Sequence, residues 1–302
     1  ENYTESLWVA EGITSFYDDL IVHRAGLSTE TEYFEALSRS MEAVMSSPGR
    51  LRQSLTVSSY DAWIKLYRRD ENFVNSGISY YTKGALVAWL LDAEIRRASA
   101  FKKSLDDVMR LAYRRYSGEC GYTESQFREV VDEVAGKDLA PFFERYVDGT
   151  ADLDFEPVFE LYGLRFKPND AGTAEGPQGS DPWFGHVAPR FGVKTKNQDG
   201  RVIVEVVLAD EPAAKAGINS GDEIIALGGI RVTPNNFDTR IQAQRAGEAI
   251  EVTIARRDVL STRTVNLEPA PVHEWKVEVD PDSTEEQTDR RRRWLSSNRS
   301  KS

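Results

Sequence analysis

Few residues of this 302-residue sequence could do chemistry, and the first of them is Glu11. On a helical wheel it points away from the apolar stripe of Val9, Ile13, Phe16, Tyr17, Leu20 and Ile21 and lies between Leu7 and Trp8. A carboxylate beside large apolar groups is a site candidate, although a glutamate on a helix face, read alone, is simply solvated. Tyr81, preceded by Tyr80, stands where a second helix starts, and read alone it is a buried aromatic whose hydroxyl is paired locally. His23, His186 and His273 have no spacing that would put two imidazoles on one metal, and His23 is three helical turns from Glu11, too far to share an ion. Cys120 lies beside glycines in a helix connection, without the histidine or basic neighbours of a thiolate nucleophile, and reads as inert.

The elements that must position these residues change character along the chain. Up to about residue 150 the pattern is helical throughout: residues 4–24, a segment opened by a capping box of Thr29 and Glu32 and closed by Pro48-Gly49, residues 80–97, 105–116, 123–135 with a second capping box (Thr123, Gln126), and a short helix over 139–147. Residues 80–97 carry Ala85, Leu86, Trp89, Leu90 and Ile95 and must be largely buried. Residues 155–166 read as extended, and the stretch 167–182, dense in Gly, Pro and Asp, reads as a linker. Short β-branched runs follow at 201–208, 223–227 and 250–255, with one clear helix at 237–245. From about Pro281 the chain is polar, with arginines at 290 to 293, and reads as disordered or loosely docked.

The words around Glu11 carry more information than its type. Leu7-Trp8-Val9-Ala10-Glu11-Gly12-Ile13-Thr14-Ser15-Phe16-Tyr17 resembles the segment that supplies the third zinc ligand in gluzincin metallopeptidases, and its Thr and Phe-Tyr pair resemble the glycyl aminopeptidase family in particular. About seventy residues on, Tyr80-Tyr81-Thr82-Lys83-Gly84-Ala85-Leu86-Val87 is similar to the Tyr-x-Lys-Gly helix start of the same clan. The resemblance implies that Glu11 is a zinc ligand and that Tyr81, with Tyr80 the weaker alternative, donates a hydrogen bond to the tetrahedral intermediate. Both roles suit the residue types, since a carboxylate is an acceptable third ligand beside two imidazoles and a phenol can steady an oxyanion. The family's His-Glu-x-x-His helix, which brings the other two ligands and the general base, is not in this sequence. The expectation is therefore a C-terminal portion, cut from that motif or completed elsewhere, inactive by itself and without zinc of its own, the metal belonging to the full-length protein.

A second resemblance lies further on. Arg190-Phe191-Gly192-Val193, the run 201–207, and Pro212-Ala213-Ala214-Lys215-Ala216-Gly217-Ile218-Asn219-Ser220-Gly221-Asp222-Glu223-Ile224-Ile225 look like a PDZ domain of the bacterial protease-associated kind. The resemblance implies that the loop Phe191-Gly192-Val193 points amides at a peptide carboxylate and that Phe237 and Ile241 line the facing helix wall. Trp183-Phe184-Gly185 is a rival loop.

Together these imply a multidomain α and β chain. An all-helical C-terminal part of a thermolysin-like catalytic domain (1–150) leads through a connector (151–182) into a small β-rich PDZ domain (183–272) and a charged tail (273–302). As full-length protein it is read as a zinc aminopeptidase that prefers N-terminal Gly or Ala, with peptides as substrates and peptide or protein C-termini as PDZ partners. The alternative is a non-catalytic PDZ adaptor that binds peptides. A net charge of -11 repels phosphate backbones and anionic lipid, so nucleic acid is a poor partner, and no run is apolar enough to span a membrane. A single cysteine excludes an internal disulfide and leaves the compartment open.

Overall fold

The computed structural model describes residues 3–168, 189–269 and 273–296. In chain order the helices are α1 (Ile13–Arg24), α2 (Glu30–Met45), α3 (Leu55–Tyr60), α4 (Phe73–Ser76), α5 (Thr82–Ala98), α6 (Leu105–Tyr116), α7 (Glu124–Ala135), α8 (Ala140–Phe143), α9 (Glu156–Tyr162), α10 (Pro212–Lys215), α11 (Phe237–Gln242) and α12 (Glu285–Leu295). The strands are β1 (Leu164–Pro168), β2 (Pro189–Arg190), β3 (Val193–Gln198), β4 (Arg201–Val207), β5 (Glu223–Leu227), β6 (Ile230–Arg231), β7 (Ala249–Arg256), β8 (Val259–Asn266), β9 (Glu268–Pro269) and β10 (His273–Val279). The chain divides into two compact units. One comprises Glu1–Arg69, Ser76–Lys167 and Trp275–Ser302, and the other Asp70–Asn75 and Pro168–Glu274.

The first unit is helical and is organised around α5. Leu86, Val87, Ala88, Trp89, Leu91 and Ile95 are all fully buried, so this helix is apolar on every side and must be enclosed by others. Charge inside it is paired: Asp92, at 2% exposure, binds Arg96 at 2.7 Å and also accepts the Leu105 amide at 2.8 Å, which ties α5 to the start of α6. Both capping boxes, at Thr29 and at Thr123, are formed, and Gly136 ends α7 in the left-handed region at φ +66°.

Two expectations fail in this unit. Residues 155–162 are not extended: Pro157 sits in the first turn of α9, and Phe155, Val158, Phe159 and Tyr162 follow the 3.6-residue period that buries one helical face. Nor are residues 281–296 loose. β10 pairs with β1, α12 is opened by a capping box of Thr284 and Gln287, and Trp294 is fully buried with its ring 4.7 Å from Tyr162 and 5.8 Å from Trp89. Arg291 donates to the Tyr162 carbonyl at 2.7 Å and pairs with Glu30 at 2.9 Å, and Arg24 caps the Trp294 carbonyl at 3.0 Å. One buried indole and two bonded arginines offset the polar composition that suggested disorder.

The second unit is an antiparallel sheet in the order β3-β4-β5-β7-β8 with β6 paired to β5, and a separate two-stranded pairing of β2 with β9. Its core includes Phe191, Val204, Ala213, Ile224, Phe237 and Val252, drawn from a loop, the inward positions of strands and both helices. Asp222 is 1% exposed; burial alone would raise its pKa, but the Arg256 guanidinium at 2.7 Å and the Asn219 amide at 2.8 Å hold it below the usual carboxylate range. Residues 70–75 group with this unit, and the Asn75 side chain donates to the Val207 carbonyl at 2.8 Å and accepts from the Ala209 amide at 2.7 Å. The sequence gives no hint of that.

Candidate functional site

Glu11 does not lie on regular α-helix. Residues Trp8–Gly12 form a π-helical turn, closed by the Ile13 amide on the Trp8 carbonyl, and α1 continues from it. Such single turns widen the helix and shift side chains off the 100° wheel, and they are frequent at functional sites. Trp8 accordingly goes to the core, fully buried with its ring 6.0 Å from Phe127 and 6.3 Å from Phe143, rather than sharing a minor face with Glu11. Ile21, read as part of the buried stripe, is 58% exposed. Glu11 is half-buried, and among the described residues no hydrogen bond or ion pair reaches its carboxylate.

Gly12 fixes where this turn stands. A Cβ on Gly12 would lie 2.8 Å from the Gly84 Cα and 2.8 Å from the Tyr80 carbonyl oxygen, so the two backbones touch and no side chain fits between them. Gly84 meets Gly12 in the same way from the other side. This contact presses the π turn against the first turn of α5, whose preceding residue is Tyr81, and the charge of Glu11 is felt at the Tyr81 phenol. Lys83, between Tyr81 and Gly84, is 1% exposed, donates to the Arg50 carbonyl at 3.3 Å, and is held down by burial at a pKa of about 8.

Tyr81 is not alone. Its ring stacks on Tyr80 at 4.6 Å, and the Tyr67 hydroxyl lies 3.0 Å from the Tyr81 hydroxyl and 2.9 Å from that of Tyr80. The hydrogen bond with Tyr67, then burial, push the Tyr81 phenol above its ordinary value; burial and the same partners do so for Tyr80, which is 1% exposed. Both phenols therefore keep their protons at neutral pH. Tyr67 is presented by the turns of residues 61–66, anchored by buried Ala62 and Leu66, and its ring packs 5.3 Å from Trp63. Sequence reading passed over Tyr67 because residues 50–79 carry no periodicity to place it.

Among the described residues no three His, Cys, Asp or Glu side chains are grouped to hold a metal ion. Glu11 fits as one carboxylate donor of such a set, being free of other partners, and supplies no more than one. His23 has an ordinary structural role, its Nδ1 3.1 Å from the Ser28 carbonyl and its ring 5.7 Å from Tyr33. Cys120 is exposed. Residues 183–186, with the rival loop and His186, and the His273 side chain lie outside the described residues.

In the second unit, Phe191 and Phe237 are buried with their rings edge to face at 5.8 Å, and Ile241 is buried beside them. Gly192 adopts φ +89°, and Glu211 occupies the space a side chain there would need. The Glu211 carboxylate is 2.9 Å from Arg190, yet burial, the larger influence, raises its pKa. Arg190 is 3.4 Å from Glu268, which also binds Lys215 at 2.6 Å. The Phe191 and Gly192 carbonyls accept from Ala213 and Leu208, and Val193 is half-buried at the start of β3. Among the described strands β3 pairs only with β4, leaving its outer edge unpaired.

Comparison with known proteins now adds to this geometry. The sequence model of the M61 glycyl aminopeptidase family matches residues 1–87, and that of the PDZ domain matches residues 189–267. The structure of an aminopeptidase N family protein from Idiomarina loihiensis is similar over 98% of this chain, with 29% identity and a TM-score of 0.82. That match covers 50% of the other protein, so the present chain spans about half its length. A serine endoprotease from Yersinia pestis is 22% identical over 30% of this chain and 32% of its own, and the HtrA-type protease AlgW with decapeptide is 20% identical over 28% and 30%; each has a TM-score of 0.27, too low to carry an argument. No curated protein matches. No helix among the described residues is long and apolar enough to cross a membrane. The helical architecture that carries Glu11 and Tyr81 and the β-rich unit that follows are similar to those of the matched aminopeptidase N family protein, and along the chain a match to the M61 glycyl aminopeptidase family, at residues 1–87, is followed by a match to the PDZ domain, at residues 189–267.

Proposed function

We propose that this chain is the C-terminal part of a zinc-dependent aminopeptidase that removes N-terminal residues, Gly and Ala foremost, from peptides. The observation that carries the reading is a carboxylate that no hydrogen bond or ion pair reaches among the described residues, Glu11, on a π turn clamped by Gly12 and Gly84 beside a phenol that keeps its proton. Glu11 would be one of the zinc ligands, the two imidazoles coming from residues outside this sequence. A bound zinc ion supplies an activated water and a polarised scissile carbonyl. Tyr81 holds its hydroxyl proton for the oxygen that becomes negative as the carbonyl is attacked, and a donor so placed contributes roughly 10²–10³ in kcat. In this scheme the general base, like the two imidazoles, would come from a His-Glu-x-x-His helix outside this sequence.

The PDZ unit is proposed to take a peptide as an added strand along the free edge of β3, with its C-terminus at the Phe191-Gly192-Val193 loop and Phe237 and Ile241 behind it. Such binding would tether substrates or regulate access to the site.

The test is hydrolysis of a panel of aminoacyl anilides by the full-length gene product, with and without a chelator. The expected outcome is turnover of Gly and Ala anilides that the chelator abolishes and zinc restores, and that Glu11→Gln and Tyr81→Phe each reduce by about a hundredfold or more. Chelator-insensitive turnover, or none with any residue, overturns the reading.

A further inference from the structure

We infer that Tyr67 is a positioning residue of the candidate site, aiming the Tyr81 proton at substrate by completing a directed chain of three phenols. The inference rests on the reading of Tyr81 as the oxyanion donor and adds to it a residue that does not touch substrate.

The geometry leaves little choice. Tyr67 is the shared partner of both other hydroxyls, at 2.9 Å from Tyr80 and 3.0 Å from Tyr81, and in each contact either oxygen can be the donor. A phenol has one proton to give. Without substrate, Tyr81 is free to give its proton to Tyr67, since either oxygen of that contact can donate. To serve a substrate oxygen, Tyr81 must turn its O–H outward and can then only accept from Tyr67. Tyr67, having turned toward Tyr81, still has lone pairs to accept with, and the Tyr80 hydroxyl is within reach at 2.9 Å. Tyr80 is almost wholly buried, so its proton needs an acceptor inside the protein, and Tyr67 provides one. The chain then runs Tyr80 to Tyr67 to Tyr81 to substrate. Every step is the rotation of an O–H bond; no proton changes oxygen and no charge is left behind. Bonds aligned in one direction polarise one another, so Tyr81 becomes a stronger donor when the chain points outward.

The surroundings suit this role. The turns that carry Tyr67 are pinned by Ala62 and Leu66, the Tyr67 ring rests against Trp63, and the Tyr80 and Tyr81 rings are stacked. Three oxygens are thus held while their hydrogens stay free to turn: the Tyr67 backbone amide is tied to the Ala62 carbonyl at 3.0 Å, and in both hydroxyl contacts either oxygen can donate.

Tyr67→Phe keeps the ring and removes the hydroxyl. In the full-length gene product, kcat on Gly anilide is expected to fall about tenfold, the size of one net hydrogen bond, with KM unchanged. In Tyr67→Phe/Tyr81→Phe the loss equals that of Tyr81→Phe alone, because Tyr67 acts only through Tyr81. A readout independent of turnover is the pH titration of ¹³Cζ-labelled tyrosines in the present chain, with Tyr81→Phe identifying the Tyr81 resonance. The Tyr81 phenol is expected to titrate at a different pH in Tyr67→Phe than in the parent, a shift that the retained ring would not cause. Unchanged kcat and an unmoved Tyr81 titration in Tyr67→Phe would overturn the inference, as would losses that multiply in the double variant. If the parent is inactive, the aminopeptidase reading falls on its own, and the titration still decides whether Tyr67 controls the Tyr81 proton.

Discussion

Two glutamates stand against glycine backbones in this molecule, one in each unit, and their states are opposite. Glu11 follows a fully buried tryptophan and precedes Gly12, whose missing side chain lets two helices touch, yet among the described residues no hydrogen bond or ion pair reaches its carboxylate. Glu211 fills the space over Gly192, is buried more deeply than it would be as a surface group, and is answered by Arg190. A free carboxylate on a locked backbone is a binding element kept ready. A paired carboxylate over a loop is part of that loop's packing. In the helical unit the glycines therefore fix the backbone beside the proposed ligand Glu11, and in the PDZ unit Gly192 yields room to a neighbouring side chain.

The sharpest way to break this contrast is Gly12→Ala. Its Cβ would be 2.8 Å from two backbone atoms that cannot rotate aside, so α5 or the π turn must move. A loss of about 3 kcal/mol in chemical denaturation is expected. A variant as stable as its parent would mean that the two backbones are not in contact.

Lys83, beside the other half of that contact, offers a pH signature. In the unfolded chain its ammonium keeps a proton to about 10.5, whereas in the fold it releases it near pH 8. Between those values the unfolded chain binds more protons, so raising the pH stabilises the fold, by at most about 1.4 kcal/mol per pH unit. Above pH 10 the effect reverses, because Tyr17 and Tyr33, pushed up by burial, retain protons that the unfolded chain loses. Denaturation at stepped pH should show the rise from pH 8 to 10 in the parent and its absence in Lys83→Met.

The smallest effect belongs to Glu211. Its folded pKa is raised, so it contributes stability at low pH that fades as the pH climbs through that raised value. Glu211→Gln holds the neutral form and should be equal or slightly more stable at neutral pH, by less than about 1 kcal/mol, with a flatter acid profile. Clear destabilisation at neutral pH would show that the ion pair with Arg190 outweighs burial, and the contrast with Glu11 would then be one of pairing alone.

How much of this was legible depends on how local the cause is. The capping boxes at Thr29 and Thr123 and the glycine after α7 involve side chains three residues from the backbone they bond, and could be read directly. The motif Gly221-Asp222 could be read as a turn before a strand, though not that Asp222 would bind Arg256, 34 residues away. Glu11 and Tyr81 stood out through the words around them, whereas the π turn under Glu11 depends on how Gly12 meets Gly84, 72 residues on, and no wheel contains that. In α9 the aromatic residues were given the wrong period. α12 was misjudged because four consecutive arginines mask Trp294, whose burial is created by Tyr33, Trp89 and Tyr162 from elsewhere in the chain. Tyr67 had no local signal, since its meaning lies in two hydroxyls 13 and 14 residues away.

The pairing of β1 with β10 means that the PDZ unit is spliced into the helical one rather than hung from its end. Bringing those two strands together closes about a hundred residues of chain, an entropic hurdle that shrinks once the enclosed module has condensed, because a folded insert behaves as a short tether. During synthesis the ribbon cannot zip, nor Trp294 reach Tyr162 and Trp89, before the inserted module has emerged. The helical unit is thereby finished after the inserted module, although most of its helices precede that module in the chain.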